Sequence, residues 1–392
     1  MSSFNPFYKL QKQLNWITNN QEDIEAKLAS VKLPFDKTFL NKYPHQLSGG
    51  QLQRLSIAAA FLKKVKLIVA DEITTALDPK NAENINELLR IESAKHNTAV
   101  IYISHDLTLV ESFCDKTIVL KQGKEQERND TKLLFHSPKS AYTKALLQSH
   151  PKLANSLYYL PTLLQIENEE SLKKRNKTIS NENTLSCDNL DFAYPNSAPL
   201  FKDFSFELKK GETLGLQGNS GSGKSTLAKC LVGWHKAQAG FLTIANKKWT
   251  LGEKQPENWH ELIQYVFQDP NSALNPRLKI RTQLQDALPK NSQWTCEDIM
   301  AMVELEQEHL NKYPHQMSGG QKQRVNIARA IAKQPKVIVL DESVAALDLS
   351  VQAGVLNTLN QLQEKMGISY LFVSHDPDVV NYFCDRKIVL DA

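Results

Sequence analysis

An α/β fold with a largely parallel sheet, present twice in one chain, is predicted by three features of the sequence. Strand-like apolar runs alternate with helix-like ones through the C-terminal half, a long block recurs at one fixed offset, and a glycine-rich turn lies between a predicted strand and a predicted helix. At roughly 100–200 residues per domain, the 392 residues accommodate two or three domains. The 47 Lys+Arg against 43 Asp+Glu leave a net charge of +4, too balanced for a binder that depends on a strong basic field, so nucleic acid is not an expected partner. The longest apolar runs, such as Ile57 to Leu62, are far short of a membrane span, and the N-terminus lacks the basic region and apolar core of a signal peptide. Five dispersed cysteines without CxxC spacing suit a reducing compartment and offer no metal site. The expectation is a cytosolic protein.

The repeat justifies the domain plan. NKYPHQLSGGQLQR from Asn41 returns as NKYPHQMSGGQKQR from Asn311, with 12 of 14 positions identical at an offset of 270. The same offset relates Asp71-Glu72 to Asp341-Glu342, Leu77-Asp78 to Leu347-Asp348, and Ser104-His105-Asp106 to Ser374-His375-Asp376. In this register Met1 falls opposite Asn271, and the counterpart of the glycine-rich turn of the second copy would precede residue 1. The expected plan is residues 1–150 as the C-terminal part of a first domain, 151–184 as a linker, and 185–392 as a second, near-complete domain. The linker reading rests on ENEESLKKRNKTISNENT, a mixed-charge stretch with no apolar periodicity, in which Lys173-Lys174-Arg175 reads as solvated.

In the second copy, strands are expected at Thr213–Gln217, Phe241–Ile244, Gln264–Phe267, Lys336–Leu340 and Tyr370–Val373. Helices are expected at Lys224–Val232, Thr295–Glu306, Gly319–Ala332, Val351–Lys365 and Pro377–Phe383.

GNSGSGKS (Gly218, Asn219, Ser220, Gly221, Ser222, Gly223, Lys224, Ser225) satisfies G-x-x-x-x-G-K-[ST] between strand and helix. Its glycines let successive N–H groups curl around phosphate oxygens at a helix N-terminus, where Lys224 reaches the β/γ-phosphates and Ser225 holds Mg²⁺. KVIVLDE is an apolar strand ending in two carboxylates; Asp341 suits Mg²⁺ coordination and Glu342 suits polarising an attacking water. LIVADE repeats that pattern at Asp71 and Glu72. Ser48-Gly49-Gly50-Gln51 and its repeat at Ser318 each open a helix with bare N–H groups, an anion-binding device twice used despite the helix cost of two glycines.

The combination of phosphate-binding turn, Gln268, SGGQ, strand-end Asp-Glu, LD turn and SHD resembles the nucleotide-binding domains of ABC transporters. The resemblance implies a P-loop NTPase fold with helical subdomains, in two ABC-type domains of which the first is incomplete. It also implies ATP held between the P-loop of one domain (through Thr226) and the SGGQ and Asp78 of the other, with His375 at the γ-phosphate and Gln268 sensing Mg²⁺. Tyr194 resembles the aromatic that stacks on adenine, although a Tyr in DFAYP also suits a strand cap. VFQDPNSALNPR, YPHQMSGGQKQR and LDLSVQA resemble the tandem ATPases of oligopeptide and dipeptide importers, and AYTKALLQSHP resembles their tail. Ile73 and Ser343 stand where that branch usually has Pro, and Ala345 where it has Ser.

The resemblance implies an ATP-hydrolysing subunit, peripheral on the cytoplasmic side of the membrane, that drives peptide import through separate permeases fed by a solute-binding protein. An upstream polypeptide carrying the missing turn is a further expected partner. The alternatives are a truncated or split remnant without transport activity, and a soluble non-transport ATPase. The DNA-repair type carries zinc-binding cysteine pairs and the translation type an LSGGE with a basic inter-domain helix, and this sequence shows neither.

Overall fold

The computed structural model describes residues 4–74, 79–151, 160, 179–219, 221–345 and 347–390. They form two compact units, Met1–Ser140 and Ala141–Ala392. The division falls ten residues before the boundary expected from sequence. Most of the expected linker, including Lys173 to Arg175, lies outside the described residues.

The first unit runs α1 (Leu10–Asn15), α2 (Gln21–Ser30), α3 (Lys37–Leu40), α4 (Gly49–Leu62), β1 (Leu67–Asp71), α5 (Pro79–His96), β2 (Ala99–Ile103), α6 (Leu107–Phe113), β3 (Lys116–Lys121), β4 (Lys124–Asp130) and α7 (Thr131–His136). β1 and β2 pair in parallel, and β3 and β4 form an antiparallel hairpin around Gly123, whose φ of 74° the turn requires. Strand alternation sends Ile68, Ala70, Val100 and Tyr102 to one side, where they pack with Leu28, Leu55, Ala58, Ile85 and Leu89 of the helices. The other face, Leu67, Val69, Ile101 and Ile103, stays exposed.

A buried ion pair ties α2 to α5. Lys27 Nζ donates to Glu92 Oε2 at 2.5 Å and lies 2.8 Å from His96 Nε2. Burial pushes the Glu92 carboxyl up, but the Lys27 hydrogen bond and charge outweigh it and hold the group below its ordinary range.

The second unit opens with α8 (Ala141–Gln148) and continues β5 (Asn183–Ala193), β6 (Pro199–Lys209), β7 (Thr213–Gly218), α9 (Lys224–Leu231), β8 (Ala239–Ile244), β9 (Lys247–Thr250), α10 (Trp259–Leu262) and β10 (Ile263–Val266). It is completed by α11 (Pro270–Ala273), α12 (Ile280–Ala287), α13 (Cys296–Met302), α14 (Gly319–Ile331), β11 (Val337–Asp341), α15 (Leu349–Met366), β12 (Ser369–Val373), α16 (Pro377–Phe383) and β13 (Arg386–Leu390). Five strands make a parallel sheet in the order β10-β11-β12-β7-β13, and four make an antiparallel sheet in the order β6-β5-β8-β9. The expected strand at Phe241–Ile244 therefore exists but belongs to the antiparallel sheet, because β5 supplies its partner within hydrogen-bonding register from Leu185 to Asp191.

Every residue of β11 and β12 is buried. Ile338, Leu340, Tyr370 and Phe372 pack with α14 and α15, whereas Val337, Val339, Leu371 and Val373 pack with α9 and the antiparallel sheet. A parallel strand covered on both faces reads as an unbroken apolar run, as VIVL does. Asp348 caps α15 by accepting from Val351 N, and Gly367 ends it in the left-handed region. Leu160 is buried in the helical side of this unit, where the Asn357 side chain accepts from its N–H at 2.9 Å and donates to its carbonyl at 2.7 Å.

Lys27→Met leaves Glu92 buried without its cation and should cost about 3–5 kcal/mol, read from urea unfolding of the first unit. Because the Glu92 pKa is lowered on folding, the contribution is present above its unfolded-state value and fades as pH falls through the folded-state value. The gap between wild type and Lys27→Met should accordingly shrink in acid; a gap constant with pH would show that the pair does not carry it.

Candidate nucleotide site

The turn between β7 and α9 is shaped by glycines used for two reasons. Gly221 and Gly223 sit at φ 87° and 94°, where an L side chain is strained. A Cβ on Gly223 would also meet Phe201 Cζ at 2.8 Å, and one on Gly218 would meet Leu390 O and Ser222 Oγ at 2.6 Å. Lys224 opens the helix and folds back, donating to Gly218 O at 2.8 Å and Asn219 O at 2.7 Å, so its ammonium lies across the turn. Ser222 Oγ is buried without a partner among the described residues, an orphaned polar atom inside the cradle. Ser220 lies outside the described residues.

The sheet then brings distant residues to the turn. β11 lies two strands from β7, and its last residue, Asp341, accepts from Ser225 Oγ at 3.0 Å. Tyr265, on β10, donates to the other carboxylate oxygen. Burial pushes the Asp341 carboxyl up, and the Tyr265 and Ser225 hydrogen bonds pull against it. The Tyr265 hydroxyl is itself driven well above its ordinary value by burial and the neighbouring carboxylate, so it remains a donor. The chemistry of this donor set, a hydroxyl and a buried carboxylate at the end of a strand, fits a hard divalent cation.

Glu342 follows at φ 46°, its N–H bonded to Val373 O at 2.9 Å. Its two oxygens are both engaged: Oε1 with His375 Nδ1 at 3.1 Å, and Oε2 accepting from Gln268 Nε2 at 2.6 Å. The His375 hydrogen bond, acting against burial, holds Glu342 below the usual carboxylate range; the same bond raises His375. Gln268 is thus placed on the Glu342 side of the cluster, not at the Ser225–Asp341 pair to which the metal expectation also assigned it. Tyr194 follows β5, its ring half-exposed and its hydroxyl 2.8 Å from Thr226 Oγ1 on α9. An open cavity of about 510 Å³ lies beside it, lined by Phe192, Tyr194 and His235, and none of the carboxylates reaches that cavity.

A profile of the family described as "ABC transporter" matches residues 2–75 and 201–345. The chain belongs to that family. Glutathione import ATP-binding protein GsiA of Escherichia coli (strain K12) is 35% identical over 424 residues, spanning 100% of this chain and 68% of that protein. The GsiA of Salmonella choleraesuis (strain SC-B67) is 35% identical over 428 residues with the same shares. A solved structure titled "RNase-L Inhibitor" superposes with a TM-score of 0.63 over 97% of this chain and 68% of that one; at 21% identity it shows the fold alone. The ABC ATPase assignment makes the chain an ATP-binding and ATP-hydrolysing protein with a P-loop NTPase fold. No helix among the described residues is long and apolar enough to cross a membrane.

The first unit of this ABC ATPase repeats half of the constellation. Glu72, again at φ 46°, lies 3.2 Å from His105 Nδ1, but this pair is far more exposed than Glu342–His375. Ser48 caps α4 by accepting from Gln51 N at 3.3 Å, while Gln51 Oε1 accepts from Ser48 N at 3.1 Å. This reciprocal box leaves the Gly49 and Gly50 N–H groups at the open end of the helix. The same box forms at Ser318 and Gln321. Asp78 lies outside the described residues.

Tyr265 belongs to this cluster by its bond to Asp341 and is not singled out by the sequence. Its signal is a lone hydroxyl in the strand IQYV next to VIVLD, visible once the two strands are known to be parallel neighbours. Tyr265→Phe leaves a buried Asp341 oxygen without its donor and should destabilise the second unit by about 1–3 kcal/mol in denaturant unfolding. An unchanged midpoint would show that the bond contributes nothing.

Proposed function

We propose that this ABC ATPase energises the import of peptides or related small solutes through membrane subunits carried on other polypeptides, with a solute-binding protein delivering the cargo. The observation that carries the reading is the junction of the β7–α9 turn with the carboxylates of β11. One cluster holds the phosphate cradle, the Ser225–Asp341 pair and the Glu342–His375–Gln268 chain. The importing direction and cargo class are supported by relatives named as glutathione import ATP-binding proteins, which align along this whole chain.

The residues divide the work as follows. The N–H groups of the turn and the Lys224 ammonium take the phosphates, and Ser225 with Asp341 holds Mg²⁺. Bound there, Mg²⁺ supplies charge neutralisation on the phosphate oxygens. The Glu342 carboxylate, kept ionised by its His375 bond, is ready to accept a proton from water as that water's oxygen attacks the γ-phosphorus and the bond from that phosphorus to the bridging oxygen breaks, releasing ADP and phosphate. His375 and Gln268 fix both of its oxygens and therefore its direction. Tyr194, tethered to Thr226, offers a ring face for adenine. Across the dimeric sandwich typical of the family, Ser48, Gly49, Gly50, Gln51 and Asp78 would close over the nucleotide.

Lys224→Ala should abolish ATP binding in an equilibrium titration, and full retention would remove the turn from the site. Glu342→Gln should keep ATP bound while turnover falls by about 10²–10⁴. Undiminished phosphate release would end its role as base. With membranes carrying the cognate permeases, peptide uptake should be lost in both variants.

A further inference from the structure

We propose that Trp234 is a positioning residue of the hydrolytic site, aiming the two donors that reach Asp341 and Glu342. Both donors come from one short segment. Tyr265, on β10, donates to Asp341, and Gln268, two residues past the end of that strand, donates to Glu342 Oε2 at 2.6 Å. The register of β10 with β11 runs from Ile263 to Val266, so the sheet leaves Phe267 and Gln268 outside its ladder. The Gln268 residue is exposed, and an exposed glutamine has several rotamers open to it unless its backbone and neighbours are fixed.

Trp234 supplies that fixing. Its ring stacks on Phe267 with centroids 5.3 Å apart and planes at 22°, and it meets Tyr265 at 4.7 Å and 49°. Phe267 and Tyr265 close the triangle edge to face at 5.1 Å. Side chains two apart on an extended segment share a face, which is why one indole can cover both. On α14, Gln323 and Asn326 donate to Phe267 O at 3.5 and 3.4 Å. Phe267 is therefore held by its ring and by its carbonyl, and the next residue is Gln268.

The indole is in turn tied to the helix of the phosphate cradle. α9 ends at Leu231, Gly233 turns the chain at φ 78°, and Trp234 N–H donates to Lys229 O at 2.9 Å. A Cβ on Gly233 would meet Trp249 Cη2 at 3.0 Å, so the turn that delivers the indole is restricted to glycine on two counts. The helix that opens with Lys224 and Ser225 thus carries, just past its far end, the ring that sets Gln268. Trp234 is 52% exposed and belongs to neither core of this unit, so these ring contacts are its main packing. The proposal rests on the reading of Glu342 as base and Asp341 as metal holder for its effect on turnover, and not for its geometry.

The test uses the whole chain. In NMR spectra with isotope-labelled glutamine, the Gln268 side-chain amide is identified by its loss in Gln268→Ala. That signal should move to the position of an unbonded glutamine in Trp234→Ala and keep its place in Trp234→Phe. Trp234→Ala should lower kcat about tenfold while the ATP dissociation constant changes by less than about twofold. Trp234→Phe should restore most of the rate, and Trp234→Leu, which offers apolar cover without a stacked ring, should not. With Gln268→Ala and Tyr265→Phe already in place, Trp234→Ala should have no further effect, because its route to the carboxylates is gone. A Gln268 signal unmoved in Trp234→Ala, additive losses in the combined variant, rescue by leucine, or ATP affinity falling as far as kcat would each overturn the proposal. Undiminished phosphate release in Glu342→Gln would instead count against the base reading and leave the Trp234–Gln268 geometry standing.

Discussion

A parallel strand pair with aliphatic side chains on both faces needs cover on both, and the way this chain meets that demand sets most of its structure. In the second unit the helical side buries one face of β11 and β12, and α9 with the antiparallel sheet buries the other. Each fully buried aliphatic side chain contributes roughly 1.5–3 kcal/mol, so the four residues of either face matter on the scale of a whole domain's stability. The covering elements are also the functional ones. The helix that covers Val339 and Leu371 begins with Lys224 and Ser225, so burying the sheet and placing the phosphate cradle opposite Asp341 are one event.

That coupling explains why the charged groups tolerate their positions. Asp341 ends an otherwise apolar strand and is deprived of water by the same packing, which raises its pKa. Two neutral donors, Ser225 and Tyr265, satisfy it without neutralising it, which leaves a carboxylate predisposed to a cation. Glu342, one residue on, has turned out of the strand at positive φ and meets His375 and Gln268, so its pKa moves the other way. Adjacent carboxylates with opposite shifts can take different roles, one binding a metal and one accepting a proton.

The motifs were legible because their chemistry is local. GNSGSGKS, SGGQ and the strand-end Asp-Glu each declare a backbone conformation and a charge within a few residues. The helix Pro377–Phe383 was legible for a related reason, since Asp376 caps it and Pro stands in its first turn. The antiparallel sheet was not legible in full. β5 and β6 carry register shifts at Cys187–Leu190 and Leu190–Phe192, which break the period-two pattern that marks a strand. Phe241–Ile244 looked like one more parallel strand because partner choice is a property of the whole sheet. Tyr265 escaped notice because its role appears only when β10 and β11 lie side by side. The division at Ser140 could not be read either. The tail after α7 resembles the end of a first domain in sequence, yet α8 and Leu160 pack with the second unit, where Asn357 holds the leucine's backbone.

The two copies also differ where their covering differs. Glu92 and His96 occupy the positions of Leu362 and Met366, and Lys27, whose carbonyl accepts from Val31 N as that of Ile299 accepts from Val303 N, occupies the position of Ile299. A buried ion pair in the first unit therefore replaces part of an aliphatic core in the second. Such a pair adds little net stability over well-packed hydrocarbon, but breaking it is costly, so it specifies which helices meet. In the second unit the corresponding contact is made by apolar side chains, with Ile299, Leu362 and Met366 in one core. In the first unit the Lys27–Glu92 hydrogen bond fixes how α2 sits on α5. A charged contact that tolerates a single geometry is suited to that task.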